Sequence, residues 1–444
     1  MFIAPNTLTL CEFLFGWTTF FIAMNKQLTL KQEMFLLATL ALVQFIAVVD
    51  FMIMPPLAPK LIKLWSIGTK EFGIAVGAYI LTAGICGFLG AFFIDKYDRK
   101  KLLTLLFAGL TAATLLCGLA PNYPTLLVGR IIAGMFGGLM GTMVFSIIGD
   151  VVPAERRARA FGLVTASFSL ASILGVPGGL YFANLWDWHA PFLVLVALSL
   201  VVQVLVAVAV PSLTGHLNAP RRTPPEVINS ILNDRNQLFA CALVISIALG
   251  QFSILPFLTA FLVANVGITE AQLPLMYLIG GATTVVASPL IGIMADKFDK
   301  ARIYTVAAIA SIIPIVIITN FPPATPVAAV FLATTLLFVC INGRMIPGMA
   351  LVQGTVLPQH RGSFTSISSS VQQLSSAAGT FIAGFVVAKG ADGLLQHYNW
   401  IGFFAVGVTV LSLYVVRQVK QLPMPSGFGQ GQGAPQASTL NAEA

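Results

Sequence analysis

The sequence predicts an all-α membrane protein of twelve transmembrane helices, arranged as two pseudo-symmetric bundles of six. Three observations predict this fold class. The chain of 444 residues is 57% hydrophobic and only 9% charged, whereas a soluble domain carries charge on about a quarter of its residues. Apolar stretches of roughly 20 residues, long enough to cross a bilayer, recur along the chain. Two similar heptads of mostly charged residues also occur, one in each half of the chain.

Individual transmembrane spans can be assigned, because clusters of charged residues separate the apolar stretches. Each stretch is long enough for one helical crossing at ~1.5 Å per residue. Spans one to twelve are predicted at residues 34–57, 71–94, 102–120, 125–149, 160–184, 190–211, 237–264, 274–295, 303–320, 327–349, 363–388 and 400–416.

Polar segments define the predicted domain organisation. Residues 212–236 form the longest polar stretch between spans and are expected to be a cytoplasmic linker between a bundle at 34–211 and a bundle at 237–416. Residues 417–444 are rich in Gly, Pro, Gln and Ser, which predicts a disordered cytoplasmic tail. Residues 1–33 form an N-terminal segment whose apolar beginning is broken by Glu12, so we interpret it as a start codon placed too early or as a peripheral or extra helix.

The placement of lysine and arginine predicts that both termini are cytoplasmic. Only Lys60, Lys63, Lys70 and Lys389 fall in loops on the outer side, and Arg130 and Arg344 fall within spans; the rest of the 24 basic residues lie in inner segments. The net charge of +8 therefore reflects orientation in the inner (plasma) membrane, and no nucleic-acid partner is expected. We expect a multi-pass monomer in the lipid bilayer.

Several classes of chemistry are disfavoured by what the sequence contains. The five cysteines lie in apolar segments without metal-site spacing, so neither a disulfide nor a metal site is expected. There is no Gly-x-x-x-x-Gly-Lys-Ser/Thr motif for a nucleotide, which argues against an ATP-driven pump. We therefore expect no cofactor and no enzymatic activity.

The second half of the chain echoes the first. DKYDRKK (residues 95–101) joins spans two and three, and DKFDKAR (296–302) joins spans eight and nine; a further pair follows at Pro153 and Pro358. Such repeats place a substrate site at the repeat interface near the bilayer midplane. GRIIAGM from Gly129 and GRMIPGM from Gly343 also match, but about ten residues out of register, ~14 Å along a helix. We interpret this pair as chance resemblance or a shifted function.

Six plus six spans with this loop in both halves resemble the major facilitator superfamily over residues 34–420. The family loop reads Gly-x-Leu-x-Asp-Arg/Lys-x-Gly-Arg/Lys-Arg/Lys, and this chain carries Asp98 and Asp299 where the family prefers Gly. The positions that match are Asp95, Lys96, Arg99 and Lys100 in the first copy and Gly292, Asp296 and Lys297 in the second.

The resemblance implies that these loops form a gate on the cytoplasmic side. Asp95 would dock on the amides that begin span eleven, Arg99 would pair with Asp150, and Asp296 would meet the start of span five when the protein is open to the outside. The alternative is that the charges only enforce topology. The expected gating residues are Asp95, Arg99, Lys100, Asp150, Asp296 and Lys300.

Spans four and five further resemble the drug/proton antiporter group of that family. RIIAGMFGG, from Arg130, is similar to its Arg-x-x-Gln-Gly signature, and LGVPGG is similar to its Gly/Pro-rich signature. The antiporter signature residues are Gly175, Pro177, Gly178 and Gly179.

Asp50 is the carboxylate that these boundaries place inside a span. An unpaired charge at the bilayer centre costs about 2.5–3.5 kcal/mol on insertion scales, and helix lengths put Arg130 at a similar depth. We expect Asp50 and Arg130 to couple protons, Asp50 being charged beside Arg130 or a cationic substrate and neutral when protonated. The alternative is a structural ion pair.

Other polar residues in the spans are candidates for the substrate cavity. Arg344 could meet an anionic group or extend to the inner surface. Close packing of small residues explains the serines of span eleven equally well. The cavity candidates are Gln44, Tyr79, Gln251, Asn342, Arg344 and Gln372.

Together these features predict a secondary active transporter whose partners are a small-molecule substrate and protons. Proton-coupled efflux of drugs or other small molecules by alternating access is the first expectation. A uniporter or proton symporter for sugars or metabolites is the alternative, followed by a membrane sensor of the same fold that transports nothing.

Overall fold

The computed structural model describes residues 29–90, 94–213, 229, 231–356 and 361–421. Residues 1–28, most of the predicted linker and residues 422–444 of the predicted tail lie outside the described residues, so those domain assignments stay predictions. The helices within the described ranges are α1 Leu30–Met52, α2 Ala58–Leu64, α3 Thr69–Gly90, α4 Arg99–Gly118, α5 Tyr123–Val151, α6 Ala154–Leu170, α7 Val176–Leu185, α8 Ala190–Ala209, α9 Arg235–Phe261, α10 Leu273–Lys297, α11 Lys300–Thr319, α12 Val327–Gln353, α13 Arg361–Val386 and α14 Tyr398–Gln418.

These helices confirm the predicted fold class. Each predicted span coincides with one long helix, except that span five consists of α6 and α7 in succession. Within the described residues, 11 helices or helix pairs are long and apolar enough to cross a membrane. The serine-rich α13, with 26 residues, completes the twelve.

The first span begins earlier and ends earlier than predicted. Thr29 caps α1 in a capping box with Gln32, so the helix starts at Leu30, and it ends at Met52 ahead of the Pro55–Pro56 pair. Glu33 therefore belongs to the first turn of α1, where it pairs with Arg156 at 2.9 Å. The predicted boundary at residue 34 had left Asp50 as the only carboxylate of this helix, but the helix also contains Glu33.

Two segments predicted as outer loops have structure of their own. Residues 58–64 form α2, so the chain continues as helix beyond Pro55–Pro56. Between α13 and α14, β1 Ala388–Lys389 pairs antiparallel with β2 Leu395–Gln396. This two-residue ribbon is the one departure from an all-α fold within the described residues.

The repeated heptads begin equivalent helices. α4 and α11 each have 20 residues, and an aspartate caps each one. Asp98 accepts a hydrogen bond from the Lys100 amide at 2.7 Å, and Asp299 accepts one from the Ala301 amide at 3.1 Å. Aspartate is a favoured N-cap because its carboxylate satisfies amides that have no partner within the helix. This explains why Asp stands where the resembled family prefers Gly.

The described hydrogen bonds and ion pairs between the two halves lie on one side of the molecule. We call the side that carries the two heptad loops the inner side, following the topology predicted from the basic residues. On the opposite, outer side, Lys60 pairs with Glu270 at 3.5 Å, Asn184 donates to the Glu270 carbonyl at 3.1 Å, and Thr259 donates to the Pro55 carbonyl at 2.8 Å.

At the inner ends, no hydrogen bond or ion pair joins described residues of the two halves. The halves still pack there through α3 and α13. A side chain added at Gly84 would lie 3.1 Å from Gln373, and one added at Gly73, nearer the outer side, would meet Gly384 at 2.9 Å. The described polar contacts between the two halves thus hold the outer side together.

Candidate functional site

The structure brings Asp50 of α1 and Arg130 of α5 together inside the N-terminal bundle. The exposed fraction of Asp50 is 0% and that of Arg130 is 1%. Arg130 Nη1 lies 3.3 Å from Asp50 Oδ2 and donates to the Asp50 carbonyl at 3.1 Å. Because both charges are removed from solvent, each depends on the other for compensation.

Two further side chains complete this cluster. Thr114 of α4 donates to Asp50 Oδ1 at 2.9 Å, and the guanidinium of Arg130 lies 4.2 Å above the ring of Tyr79 on α3. A cation so close to an aromatic face is stabilised by the ring quadrupole. Tyr79, expected to line the substrate cavity, is 4% exposed and belongs to the ion-pair cluster instead.

Thr114 was missed by the sequence analysis. Its depth in the membrane could have identified it: Thr114 lies roughly 22 Å along α4 from the inner end of that helix, a depth similar to that of Asp50. The same arithmetic had matched Asp50 with Arg130.

The predicted antiporter signature lies against the helix that carries Asp50. An added side chain would come within 2.2 Å of Val49 at Gly175 and within 2.4 Å of Ile53 at Gly179, so both glycines allow span five to approach α1 closely. At Gly178 nothing lies within 4 Å.

The same segment interrupts the helix of span five. Residues Ala171–Gly175 form a π turn in which the Val176 amide bonds to the Ala171 carbonyl, and Pro177 begins α7. Proline has no amide hydrogen to donate and crowds the preceding turn, which accounts for the irregular hydrogen bonding before Pro177. The wide turn thus lies beside the Asp50 cluster.

Arg344 of α12 is the buried arginine of the C-terminal bundle, at 4% exposure. Its Nη1 donates to Ser311 Oγ of α11 at 3.4 Å. Its Nε and Nη2 are buried without a hydrogen-bond partner among the described residues. The structure therefore does not place Arg344 at the inner surface.

The other cavity candidates are dispersed. Gln44 is buried in α1 and its Oε1 has no partner among the described residues, whereas Gln251 and Gln372 are partly exposed. Asn342 Nδ2 donates to the Phe338 carbonyl of its own helix at 2.9 Å. Within the described ranges, no group of three His, Cys, Asp or Glu residues could hold a metal ion.

The residues expected to form the gate are only partly assembled. Arg99 Nε donates to Asp150 Oδ2 at 3.1 Å, the pairing expected from the sequence. Asp296 is exposed, and its side chain makes no hydrogen bond or ion pair with another described residue. Lys300 is the first residue of α11, and the Lys100 amide donates to the Asp98 cap. The side chain of Asp95 lies outside the described residues.

Asp98 itself is an anchor point of the first loop. Ser212, after α8, donates its hydroxyl to Asp98 Oδ2, and the Leu213 amide donates to Oδ1 at 3.4 Å. Burial acts to raise the pKa of Asp98, but the Ser212 hydroxyl and the amides of Lys100, Leu213 and Lys101 outweigh it, and the pKa lies below its ordinary value.

Comparisons with known proteins agree with this architecture. The chain is 25% identical over 386 residues to an uncharacterized MFS-type transporter, YceJ, of Bacillus subtilis (strain 168), covering 85% of this chain and 95% of that protein. It superposes with a TM-score of 0.72 on an inward-facing, unoccupied bacterial homolog of the human lysosomal transporter Spinster, at 15% identity over 88% of this chain and 98% of the other. With the D-xylose-proton symporter the TM-score is 0.68, at 16% identity over 88% and 99%.

Two packed six-helix bundles with a buried charged cluster at their membrane-spanning level are typical of a membrane carrier. The sequence pattern of the Major Facilitator Superfamily matches residues 40–249 and 240–439. The chain belongs to this superfamily, and it is a multi-pass membrane transporter.

Proposed function

We propose that this transporter is a proton-coupled antiporter that exports small molecules across the plasma membrane, with Asp50 as the group that takes up and releases the proton. One observation supports it most strongly: a completely buried carboxylate meets a buried arginine at 3.3 Å within the membrane layer. Intramembrane ionisable residues are rare because they are costly, and they mark proton and substrate pathways.

The geometry supports a simple exchange cycle. When Asp50 is charged, it accepts hydrogen bonds from Arg130 and Thr114, and the two charges compensate each other. When Asp50 is protonated, Arg130 loses its counter-charge and retains the ring of Tyr79. The two protonation states therefore stabilise different packings of α1 against α4 and α5, which a transporter can use to favour one open side over the other.

The π turn offers a place where this change can be transmitted. It joins α6 to α7, and its flanking glycines contact Val49 and Ile53 on either side of Asp50. The weaker backbone bonding of a π turn makes it easier to rearrange than a regular helix. We assign Gly175, Pro177, Gly178 and Gly179 to this hinge.

The gate follows from the same scheme. Lys60, Glu270, Asn184 and Thr259 hold the outer side closed in the present arrangement. In the opposite arrangement the heptad loops would close the inner side through Asp95, Lys100, Asp296 and Lys300, while Arg99 and Asp150, which already pair within the first bundle, would keep the first loop in position. We also propose that both termini are cytoplasmic and that the chain works as a monomer.

A proton symporter is the second candidate, favoured by the fold shared with the D-xylose-proton symporter at a TM-score of 0.68. The same Asp50 chemistry serves either direction of coupling. The two candidates differ in whether an opposing proton gradient drives accumulation of substrate.

Transport by the purified full chain in liposomes tests the proposal. Ethidium and benzoate serve as a cationic and an anionic probe, and a pH-sensitive dye inside the vesicles records proton movement. We expect probe movement against its gradient when protons flow the other way. Asp50→Asn should abolish this coupled movement while exchange of labelled for unlabelled probe continues, and Asp392→Asn in the outer loop is the matched control. Coupled flux at the normal level in Asp50→Asn would rule out Asp50 as the proton carrier.

A further inference from the structure

Arg344 is a buried cation whose own bundle does not neutralise it. It lies in α12 among apolar residues of α9 and α11, and its described polar contact is the Ser311 hydroxyl at 3.4 Å. A neutral hydroxyl satisfies one N–H group but leaves the positive charge uncompensated, which is strongly unfavourable inside a protein.

The sequence of this half offers no internal counter-charge at that depth. The acidic residues of the bundle at 237–416 are Glu270 at the outer end, Asp296 and Asp299 at the inner end, and Asp392 in the outer loop. Arg344 is in the middle part of α12, well separated from each end of the helix. Asp50 is already paired with Arg130 in the other bundle. No described carboxylate therefore compensates Arg344, and a bound anion would supply the missing counter-charge.

The free part of the guanidinium has a particular shape. Nε and Nη2, the two nitrogens without partners, lie on the same edge of the planar group and point their N–H bonds in parallel. That edge matches the two oxygens of a carboxylate, which it binds through two parallel charge-assisted hydrogen bonds. Nη1, on the other edge, is held by Ser311 and fixes the orientation of the plane.

We propose that Arg344 binds the carboxylate group of the transported molecule, so that the substrates of this protein are organic acids or other carboxylate-bearing compounds. The inference deepens the proposed transport function and rests on it. It concerns one group of the substrate and leaves the rest of the molecule open.

The space beside Arg344 is narrow in this arrangement, so a carboxylate enters only if the side chains of the wall move apart. The cavity there has about 10 Å³ open to the centre of a water molecule, which is room for about one water. Gln251, Leu255 and Ile341 in its wall are partly exposed, so the cavity adjoins accessible surface. A carboxylate can reach in while the body of the substrate lies outside.

Gly250 of α9 keeps the free edge accessible. A side chain at this position would put its first carbon 3.8 Å from Arg344 Nη2, and its other neighbours would be Val408 at 3.6 Å and the Ala405 carbonyl at 3.8 Å. These are ordinary contact distances, so alanine fits without strain. It would nonetheless occupy space next to the nitrogen that we assign to the ligand.

Binding of the minimal group can be measured without transport. The full chain in detergent is titrated with sodium formate and sodium acetate, and its thermal unfolding midpoint is recorded. Acetamide, chloride and inorganic phosphate are run in parallel at matched ionic strength. We expect saturable stabilisation by formate and acetate, none by acetamide, and at least about tenfold weaker effects of chloride and phosphate. Chloride lacks the two paired oxygens, and phosphate, which the same edge can also bind, is bulkier than the narrow cavity beside Arg344 admits.

Variants locate the binding site. Arg344→Gln should abolish the stabilisation by formate and acetate. Arg344→Lys keeps the charge but loses the paired N–H groups, so its affinity for these carboxylates should be at least about tenfold weaker. Gly250→Ala should weaken it several-fold. Arg302→Gln, which removes the same charge from an exposed position, should bind as the unmodified chain does.

Each alternative outcome overturns the proposal. No stabilisation by either carboxylate, equal stabilisation by chloride or phosphate, or undiminished binding in a folded Arg344→Gln variant would each exclude it. Proton coupling is measured separately through Asp50→Asn in vesicles. Loss of one result with survival of the other therefore shows which of the two proposals has failed.

Discussion

Each half of this protein buries an arginine deep within a span, Arg130 in the first and Arg344 in the second, and the surroundings of the two differ. Arg130 has a carboxylate at 3.3 Å and an aromatic ring at 4.2 Å, and is 1% exposed. Arg344 is 4% exposed and has one hydroxyl at 3.4 Å. The charge of Arg130 is compensated by Asp50, although its Nε has no hydrogen-bond partner among the described residues, whereas Arg344 has no counter-charge there and two nitrogens, Nε and Nη2, without partners.

The difference lies in position as well as in partners. Arg130 is near the outer start of α5, and Arg344 is about ten residues further along α12, ~15 Å deeper. The shifted Gly-Arg motifs therefore do not fill equivalent sites. The duplicated fold preserves helices and their caps, while the charges inside each bundle have separate surroundings. This fits a division of work in which the first bundle handles the proton and the second the substrate.

The largest expected effect comes from deleting each arginine in turn. Arg130→Met leaves Asp50 buried without its partner, which should destabilise the protein by about 3–5 kcal/mol. Arg344→Met removes a charge that has no counter-charge, so the ligand-free protein should lose no stability and is expected to gain some. Unfolding of both variants in detergent, followed by tryptophan fluorescence, measures the contrast.

The double variant Asp50→Asn/Arg130→Met is the control for this pair of measurements. It should recover part of the stability that Arg130→Met loses, because the unpaired carboxylate is gone. Equal losses for Arg130→Met and Arg344→Met would contradict the distinction between the two sites.

The second prediction compares the glycines that surround each arginine. At Gly134 an added carbon would lie 2.3 Å from the Tyr79 carbonyl and 2.2 Å from Thr82, so α3 and α5 must separate. Gly134→Ala should therefore cost about 1–3 kcal/mol and reduce proton-coupled flux, since Tyr79 would shift from Arg130.

Gly250→Ala is the matched variant in the other bundle, where the nearest atom would be at 3.6 Å. Its unfolding midpoint should stay close to that of the unmodified chain. A large loss of stability in Gly250→Ala would contradict the open contact distances of 3.6–3.8 Å beside Arg344.

Much of this molecule could be predicted from the sequence, because bilayer thickness and charge placement constrain helices directly. The twelve spans, the repeated loops and the Asp50–Arg130 proximity all follow from counting residues along helices. Helix ends were less predictable, since they depend on local caps such as Thr29 and on prolines such as Pro55.

Side-chain partners across helices were the least predictable part of the site. Helix rotation is not fixed by length, so Tyr79 was assigned to the cavity although it stacks on Arg130. Thr114 and Ser311 are single hydroxyls in apolar spans, and composition does not separate them from hydroxyls that bond to their own helix. The contacts that close the outer side involve loops such as the one at Glu270, whose fold the span pattern does not contain.

Those two hydroxyls give the third prediction. Thr114→Val removes a donor to a buried carboxylate, and a hydrogen bond to a charged group contributes about 1.5–3 kcal/mol. Ser311→Ala removes the hydroxyl that accepts a long hydrogen bond, 3.4 Å, from Arg344 Nη1, and it leaves Nε and Nη2 of Arg344 unchanged. The loss of unfolding free energy should therefore be about 0.5–1 kcal/mol. Chemical unfolding of the two variants tests the order, and a greater loss in Ser311→Ala would reverse the ranking of the two sites.

The smallest effect is expected at the two aspartates that cap α4 and α11. Asp98 also accepts hydrogen bonds from Ser212 and Leu213, whereas Asp299 caps one amide at the exposed inner surface. Asp98→Ala should cost about 1 kcal/mol and Asp299→Ala about 0.5 kcal/mol.

The pH dependence of the Asp98 contribution has a definite sign. Burial raises the pKa of this carboxyl, but the hydrogen bonds that it accepts lower it further than burial raises it. A group whose pKa is lower in the folded state stabilises the fold above its unfolded value of about 3.9, and this stabilisation is lost as the pH falls through the folded value. The difference in unfolding midpoint between the unmodified chain and Asp98→Ala should therefore be constant from pH 8 down to about pH 5 and shrink below about pH 4. A difference that grew on acidification would mean that the neutral acid, and not the carboxylate, holds the first heptad loop to the end of α8.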